Sequence, residues 1–111
     1  MPFVDTTNVD ALSPLPGWSG RFVDGENMTV VYWQINDGAQ ALHEHEHMQE
    51  EIWNVLEGEI EISIAGVARR AGPGCVALIP PHTLHSVKPL GPASVIVIDH
   101  PKREPFGQPV K

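Results

Sequence analysis

The chain holds one cysteine, Cys75, in 111 residues. A single thiol makes no internal bridge, so a disulfide-stapled scaffold is excluded. Cys75 is expected to serve as a small buried apolar residue. Basic residues are also scarce: 7 Lys and Arg stand against 14 Asp and Glu, a formal net charge of −7. Nucleic acids and anionic membranes attract basic surfaces, so neither is an expected partner. No apolar run approaches the roughly 20 residues needed to span a bilayer. The start, Met1-Pro2-Phe3-Val4-Asp5, lacks a basic segment followed by an apolar stretch. A cytoplasmic, soluble protein is the expectation. Long helices are disfavoured as well, because 11 prolines and 10 glycines are scattered throughout.

What remains is a series of short apolar runs. Residues 28–36 (MTVVYWQIN) are rich in the β-branched and aromatic side chains that suit strands. Residues 51–56 (EIWNVL) and 59–64 (EIEISI) follow, with Glu57-Gly58 as the turn between them. In the latter, Ile60, Ile62 and Ile64 alternate with Glu59, Glu61 and Ser63, which is period two with one apolar and one wet face. Gly66 and Gly72-Pro73-Gly74 mark further turns, and residues 76–79, 85–88 and 94–98 read as the remaining strands. Many short strands between frequent turns predict an all-β sandwich or barrel. The length suits a single domain over 1–111. Residues 28–100 are its barrel, 1–27 a loop-rich segment with one short strand at most, and 101–111 a Pro-rich tail that is extended or loosely attached.

Six histidines set against one cysteine point to imidazole chemistry, either proton transfer or metal binding. Three of them alternate in Leu42-His43-Glu44-His45-Glu46-His47. Side chains at i, i+2 and i+4 of a strand share a face. His43 and His47 would then lie about 13 Å apart at roughly 3.3 Å per residue, too far to share one ion. His45 therefore belongs in any site, paired with either His43 or His47, and alternation does not choose between them.

These residues and their spacing resemble the cupin family, the small RmlC-like jelly-roll barrels also described as a double-stranded β-helix. The family's first motif places His-x-His, three or four residues, Glu, six residues, Gly; here stand His45-Glu46-His47, then Glu51 and Gly58. The second places Gly, five residues, Pro-x-Gly, two residues, His, three residues, Asn; here stand Gly74, Pro80-Pro81-His82, His85 and Pro89. The likeness spans residues 38–89, about half the chain. It departs at three points. Six residues, not five, separate Gly38 from His45, His82 replaces a glycine, and Pro89 replaces an asparagine.

The resemblance implies that His45, His47, Glu51 and His85 bind one divalent ion. Three imidazoles and a carboxylate suit Mn, Fe, Co, Ni, Cu or Zn better than Mg or Ca. On a six-coordinate ion, four protein ligands leave two positions for water, dioxygen or a chelating substrate. His43 and His82 are then candidates to orient substrate or move a proton, and His100 is a surface residue. Tyr32, Trp33 and Trp53 are candidates to wall the cavity; Trp53 shares the strand face of Glu51. Arg21, Arg69 and Arg70 are possible carboxylate anchors, with surface placement the plainer expectation. Seven of the acids fall between Glu44 and Glu61, and all but Glu51, with Glu50 and Glu57 undecided, are expected to face water.

Two classes of function follow. One is a metal-dependent enzyme acting on a small oxygen-rich molecule, by oxygenase-type or by Lewis-acid isomerase or lyase chemistry. The other is a non-catalytic small-ligand-binding or sensor module. A structural metal is disfavoured, because closed zinc sites are usually cysteine-rich. The resemblance also implies a homodimer.

Overall fold

The structure, a computed structural model, describes residues 3–103. After a 3-10 turn at Thr6–Asn8 come nine strands: β1 (Trp18–Asp24), β2 (Thr29–Ile35), β3 (Leu42–His45), β4 (Glu50–Glu57), β5 (Ile60–Ile64), β6 (Val67–Ala71), β7 (Val76–Ile79), β8 (His85–Pro89) and β9 (Ala93–His100). They form two antiparallel sheets, ordered β1-β2-β9-β4-β7 and β3-β8-β5-β6. The all-β fold expected from the sequence is the fold observed. No helix among the described residues is long and apolar enough to cross a membrane.

The two sheets pack together because their central strands alternate. Val31, Trp33 and Ile35 of β2, Trp53 and Val55 of β4, Ile60 and Ile62 of β5, and Val95 and Val97 of β9 are all buried, and together they fill the core. Trp18 joins them, edge-on to Trp33 at 5.4 Å and to Trp53 at 6.2 Å between ring centroids. Such T-shaped pairs add about 0.5–1.5 kcal/mol each beyond area burial.

Three local readings change. The amino-terminal segment contributes more than a short strand: β1 has seven residues and pairs with β2 along its whole length. Its alternating Trp18, Gly20 and Phe22 was masked by the neighbouring turn residues. β6 lies between two turns as an edge strand whose first four residues are exposed, so it carries little apolar signal. The tail is not loose over its first residues. Arg103 N–H donates to Thr29 Oγ1 at 3.0 Å, and Gln49 Nε2 donates to the Lys102 carbonyl at 3.4 Å. The rest of the expected tail, 104–111, lies outside the described residues.

The five-stranded sheet also carries an apolar row on its outer side. The ladders align Val23, Val30, Ile98, Ile52 and Leu78 across all five strands. Their strand neighbours point into the core, and Leu78 is 64% exposed.

Candidate metal centre

The histidine block is only partly a strand. β3 ends at His45, and the β3–β8 pairing shifts register between Leu42 and His45. A bulge of this kind breaks the two-residue period. Leu42 and His45 therefore both turn inward, while His43 is exposed. The one-residue excess between Gly38 and His45 coincides with this bulge. His47 lies beyond the strand, in the connection to β4, where the chain bends back toward the barrel interior. The expectation that 43, 45 and 47 share one face is corrected accordingly.

Three imidazoles converge. Ring centroids of His45 and His85 are 4.3 Å apart, those of His47 and His85 4.9 Å, and those of His45 and His47 5.5 Å. Each ring is oriented by a backbone carbonyl two residues away. Nδ1 of His45 meets the His43 carbonyl at 2.9 Å, that of His47 the Gln49 carbonyl at 3.2 Å, and that of His85 the Thr83 carbonyl at 2.8 Å. A carbonyl only accepts, so each neutral ring carries its hydrogen on Nδ1 and leaves the Nε2 lone pair available.

Glu51 of β4 is 3% exposed and faces two of these nitrogens. His47 Nε2 lies 3.5 Å from Oε2, and His85 Nε2 lies 3.4 Å from Oε1. Trp53 Nε1 donates to Oε1 at 2.6 Å and fixes the carboxylate. A lone pair facing a carboxylate oxygen repels unless a proton or a cation lies between them. The buried Nε2 atoms of His47 and His85 have no hydrogen-bond partner. Buried polar atoms are usually satisfied, so these two nitrogens are open to a proton or a cation shared with Glu51. The four residues could hold a divalent transition ion, and their orienting bonds are those that metal-binding histidines use.

Titration follows the same geometry. Burial lowers the His45 pKa, against the His43 carbonyl, and the neighbouring imidazoles of His85 and His47 lower it further. At His85 burial acts the same way but is outweighed by the Glu51 carboxylate and the Thr83 carbonyl, and the pKa rises. Glu51 is pulled well below the usual carboxylate range: burial works against this, but His47, His85, Asp99 and Trp53 all stabilise the anion. Asp99 is pushed up to about 9, first by burial, then by its hydrogen bond to Glu51 and by that group's charge, with Arg103 acting against them.

A cavity of about 80 Å³ adjoins the cluster. His45, Glu51 and Arg103 form its polar wall, and Trp18, Trp33, Trp53 and Leu15 are among its apolar ones. Trp33 and Trp53 therefore stand where the sequence suggested, whereas Tyr32 points away and is 39% exposed. Neither His43 nor His82 lines this cavity. The His82 side chain is exposed, but its backbone N–H donates to the His47 carbonyl at 2.7 Å. Its φ of 55° accounts for the glycine found there in the resembled motif. Among the expected anchors, Arg21 donates to the Val9 carbonyl, Arg70 pairs with Glu59 at 3.8 Å, and Arg69 is exposed. Glu50 and Glu57 are exposed, as is His100, and Cys75 is half-buried against the core.

Three residues at this site escaped the sequence reading. Trp18 lay in the segment read as loop. Asp99 continues the parity of Val95 and Val97, one residue past the strand predicted for 94–98, and pairs with Glu51 across the β4–β9 ladder. Arg103 reaches Glu51 Oε2 at 3.4 Å and Asp99 Oδ2 at 3.7 Å from a segment with no strand pattern.

Fold and site define a two-sheet β-barrel with an imidazole–carboxylate cluster inside it. The model of the cupin domain matches residues 31–99, and the chain belongs to the cupin family. No curated protein matches the sequence. Among solved structures, an RmlC-like cupin from Shewanella frigidimarina is similar with a TM-score of 0.88 at 21% identity, over 96% of each chain. KdgF from Halomonas sp. is similar with a TM-score of 0.85 at 26% identity, over 94% of this chain and 96% of that one. An oxalate decarboxylase variant from Bacillus subtilis, an enzyme with Mn(II) centres, is similar with a TM-score of 0.78 at 19% identity. That match covers 88% of this chain and 29% of the decarboxylase.

Proposed function

We propose that this cupin is a metal-dependent enzyme that binds one divalent transition ion through His45, His47, Glu51 and His85 and acts on a small oxygen-rich molecule. The observation that carries the reading is the pair of buried, unpartnered Nε2 atoms of His47 and His85 facing Glu51. These residues would hold an ion of the Mn, Fe, Co, Ni, Cu or Zn class, which would supply Lewis-acid or redox chemistry. The chain's own residues do the rest. Three backbone carbonyls and Trp53 hold the donors in place, and tryptophans give the cavity an apolar wall. Arg103 adds a guanidinium to the cavity wall, which favours a substrate whose oxygens carry negative charge. The cavity has the volume of only two or three waters, at about 30 Å³ each, so a compact substrate is favoured.

One observation favours the second reading, a ligand-binding or sensor module. The extra histidines, His43 and His82, stand outside the cavity and supply no acid or base there. Turnover of a chelating keto acid or diketone by the metal-loaded protein separates the two readings.

Elemental analysis tests the metal assignment. One ion per chain is expected, and removing it with a chelator lowers the melting temperature. Metal at about 100 times its Kd stabilises by about 2.7 kcal/mol. At roughly 4–8 °C per kcal/mol for a domain near this size, that is a shift of some 10–20 °C. Occupancy also falls as acid protonates the imidazoles, because only the neutral ring ligates. Metal-free protein whose melting ignores both chelator and added ion sinks the reading.

We also propose a homodimer through the outer face of the five-stranded sheet. Its support is the row Val23, Val30, Ile98, Ile52 and Leu78. Five strands spaced ~4.8 Å and seven residues of ~3.3 Å give roughly 500 Å² per copy, near the ~1,000 Å² total that a specific interface needs. Light scattering should give twice the chain mass, and Leu78→Glu should return the monomer. A monomer mass for the unaltered chain counts against it.

A further inference from the structure

We propose that the molecule this cavity takes is polar at one end only, a short α-keto or α-hydroxy carboxylate with a plain alkyl tail, and that Leu15 sets the length of that tail. The inference rests on the metal-binding reading above and defines the substrate class of that same site.

The cavity has two unlike parts. His45, Glu51 and Arg103 make up its polar wall, and the rest of its surface is almost wholly apolar. Pro14, Leu15, Leu42 and Val97 bring no polar side-chain atom to it. Trp18 and Trp53 bring one each, and both are already engaged. Trp18 Nε1 donates to the Gln40 carbonyl at 2.7 Å, and Trp53 Nε1 donates to Glu51 Oε1 at 2.6 Å. Trp33 is held edge-on to Trp18 and to Phe22, with ring centroids 5.4 Å apart in each pair. A hydroxyl carried past the polar wall would lose its water and find no partner on Trp18, Trp53 or the aliphatic residues, which is costly. A methyl group in the same place buries apolar surface and is favoured. A polyol, with hydroxyls along its whole length, is disfavoured for the same reason.

Leu15 reaches this wall from the segment before β1, half-buried against the core. That segment is fastened at several points. Leu12 and Gly20 exchange two backbone hydrogen bonds of 2.8 Å, and Trp18 N–H donates to the Leu15 carbonyl at 3.0 Å. Gln40 N–H donates to the Pro16 carbonyl at 3.0 Å, and Asn36 N–H to the Gly17 carbonyl at 2.8 Å. Leu15 is therefore a fixed wall, and the space it bounds is about 80 Å³. At about 30 Å³ for each water-sized group, an ethyl tail fits and a butyl tail does not. The tryptophans, Leu42 and Val97 belong to strands that build the two sheets. Leu15 lies outside the strands, so this part of the wall can change size without remaking a sheet.

Binding of keto acids to the whole chain loaded with Zn(II), read by calorimetry and by the fluorescence of the lining tryptophans, tests this. α-Ketobutyrate and hydroxypyruvate differ only by a methyl group in place of a hydroxyl. The first should bind at least about tenfold tighter, the scale on which an apolar pocket discriminates such a pair. α-Ketocaproate, with its butyl tail, should bind the unaltered chain at least about tenfold more weakly than α-ketobutyrate. Leu15→Ala should bring those two within about twofold or reverse their order, because truncation enlarges the cavity. Equal affinity for α-ketobutyrate and hydroxypyruvate, or a preference for the latter, overturns the apolar-tail assignment. An unchanged length preference in Leu15→Ala overturns the role of Leu15. Should that variant fail to fold, Leu15→Val removes one carbon and must narrow the same gap. A Zn(II)-loaded chain that binds none of these acids overturns this inference and leaves the metal ligands standing. A chain that takes up no ion sinks the metal-binding reading, and this inference with it.

Discussion

Replacing His47 with alanine is expected to abolish metal binding, whereas the same change at His43 should leave the ion in place. The two histidines are equivalent on a strand template, each two residues from His45, and the structure separates them. The register shift between Leu42 and His45 turns His43 to solvent. His47 sits past the end of β3 with Nε2 buried against Glu51. His47→Ala removes that nitrogen and leaves Glu51 with one imidazole fewer. Elemental analysis of the two purified variants checks it: a full complement of metal in the His47 variant sinks the ligand assignment, and loss in the His43 variant would mean the bulge does not persist in solution. The thermal shift on chelation should vanish with His47→Ala and survive in His43→Ala.

Gly58→Ala destabilises the fold by about 3 kcal/mol or more, the sum of about 1 kcal/mol for a left-handed alanine and the upper range of an overpacking cost. Gly58 turns the chain from β4 into β5 with φ 74°. A Cβ there would fall on the Pro92 carbonyl oxygen and against the Ala93 backbone, and neither can swing aside as a flexible side chain would. Gly66 supplies the control. Its φ is 83°, but a Cβ there meets nothing within 4 Å. Gly66→Ala should therefore cost only the conformational share, about 1 kcal/mol. Thermal melts of the two variants read the difference, roughly 4–8 °C for each kcal/mol. Equal shifts would show that the contact with the turn leading into β9 carries no weight.

The position of Gly58 illustrates what was legible. Glu57-Gly58 between two alternating runs reads as a turn at once, because turn chemistry is local. That the turn abuts residues 92 and 93 depends on β9 pairing with β4, a contact between segments some 35 residues apart. The same division runs through the site. His45, His47, Glu51 and His85 are visible through spacing. Asp99 and Arg103 are not, because one sits at a strand end and the other in an irregular segment, and their approach to Glu51 is made by pairing and by the anchoring of residues 102 and 103.

The shortage of cysteine and of basic residues, the period-two runs and the turn residues determine by themselves an all-β chain with an acidic surface and an excess of imidazole. These are properties of composition and of neighbours along the chain. Which face His43 takes, and which carboxylates share the interior, was decided by the tertiary structure. A single bulge reverses the parity of the residues after it in the same strand. A buried charge, moreover, has meaning only beside the groups that the other sheet and the far end of the chain bring against it.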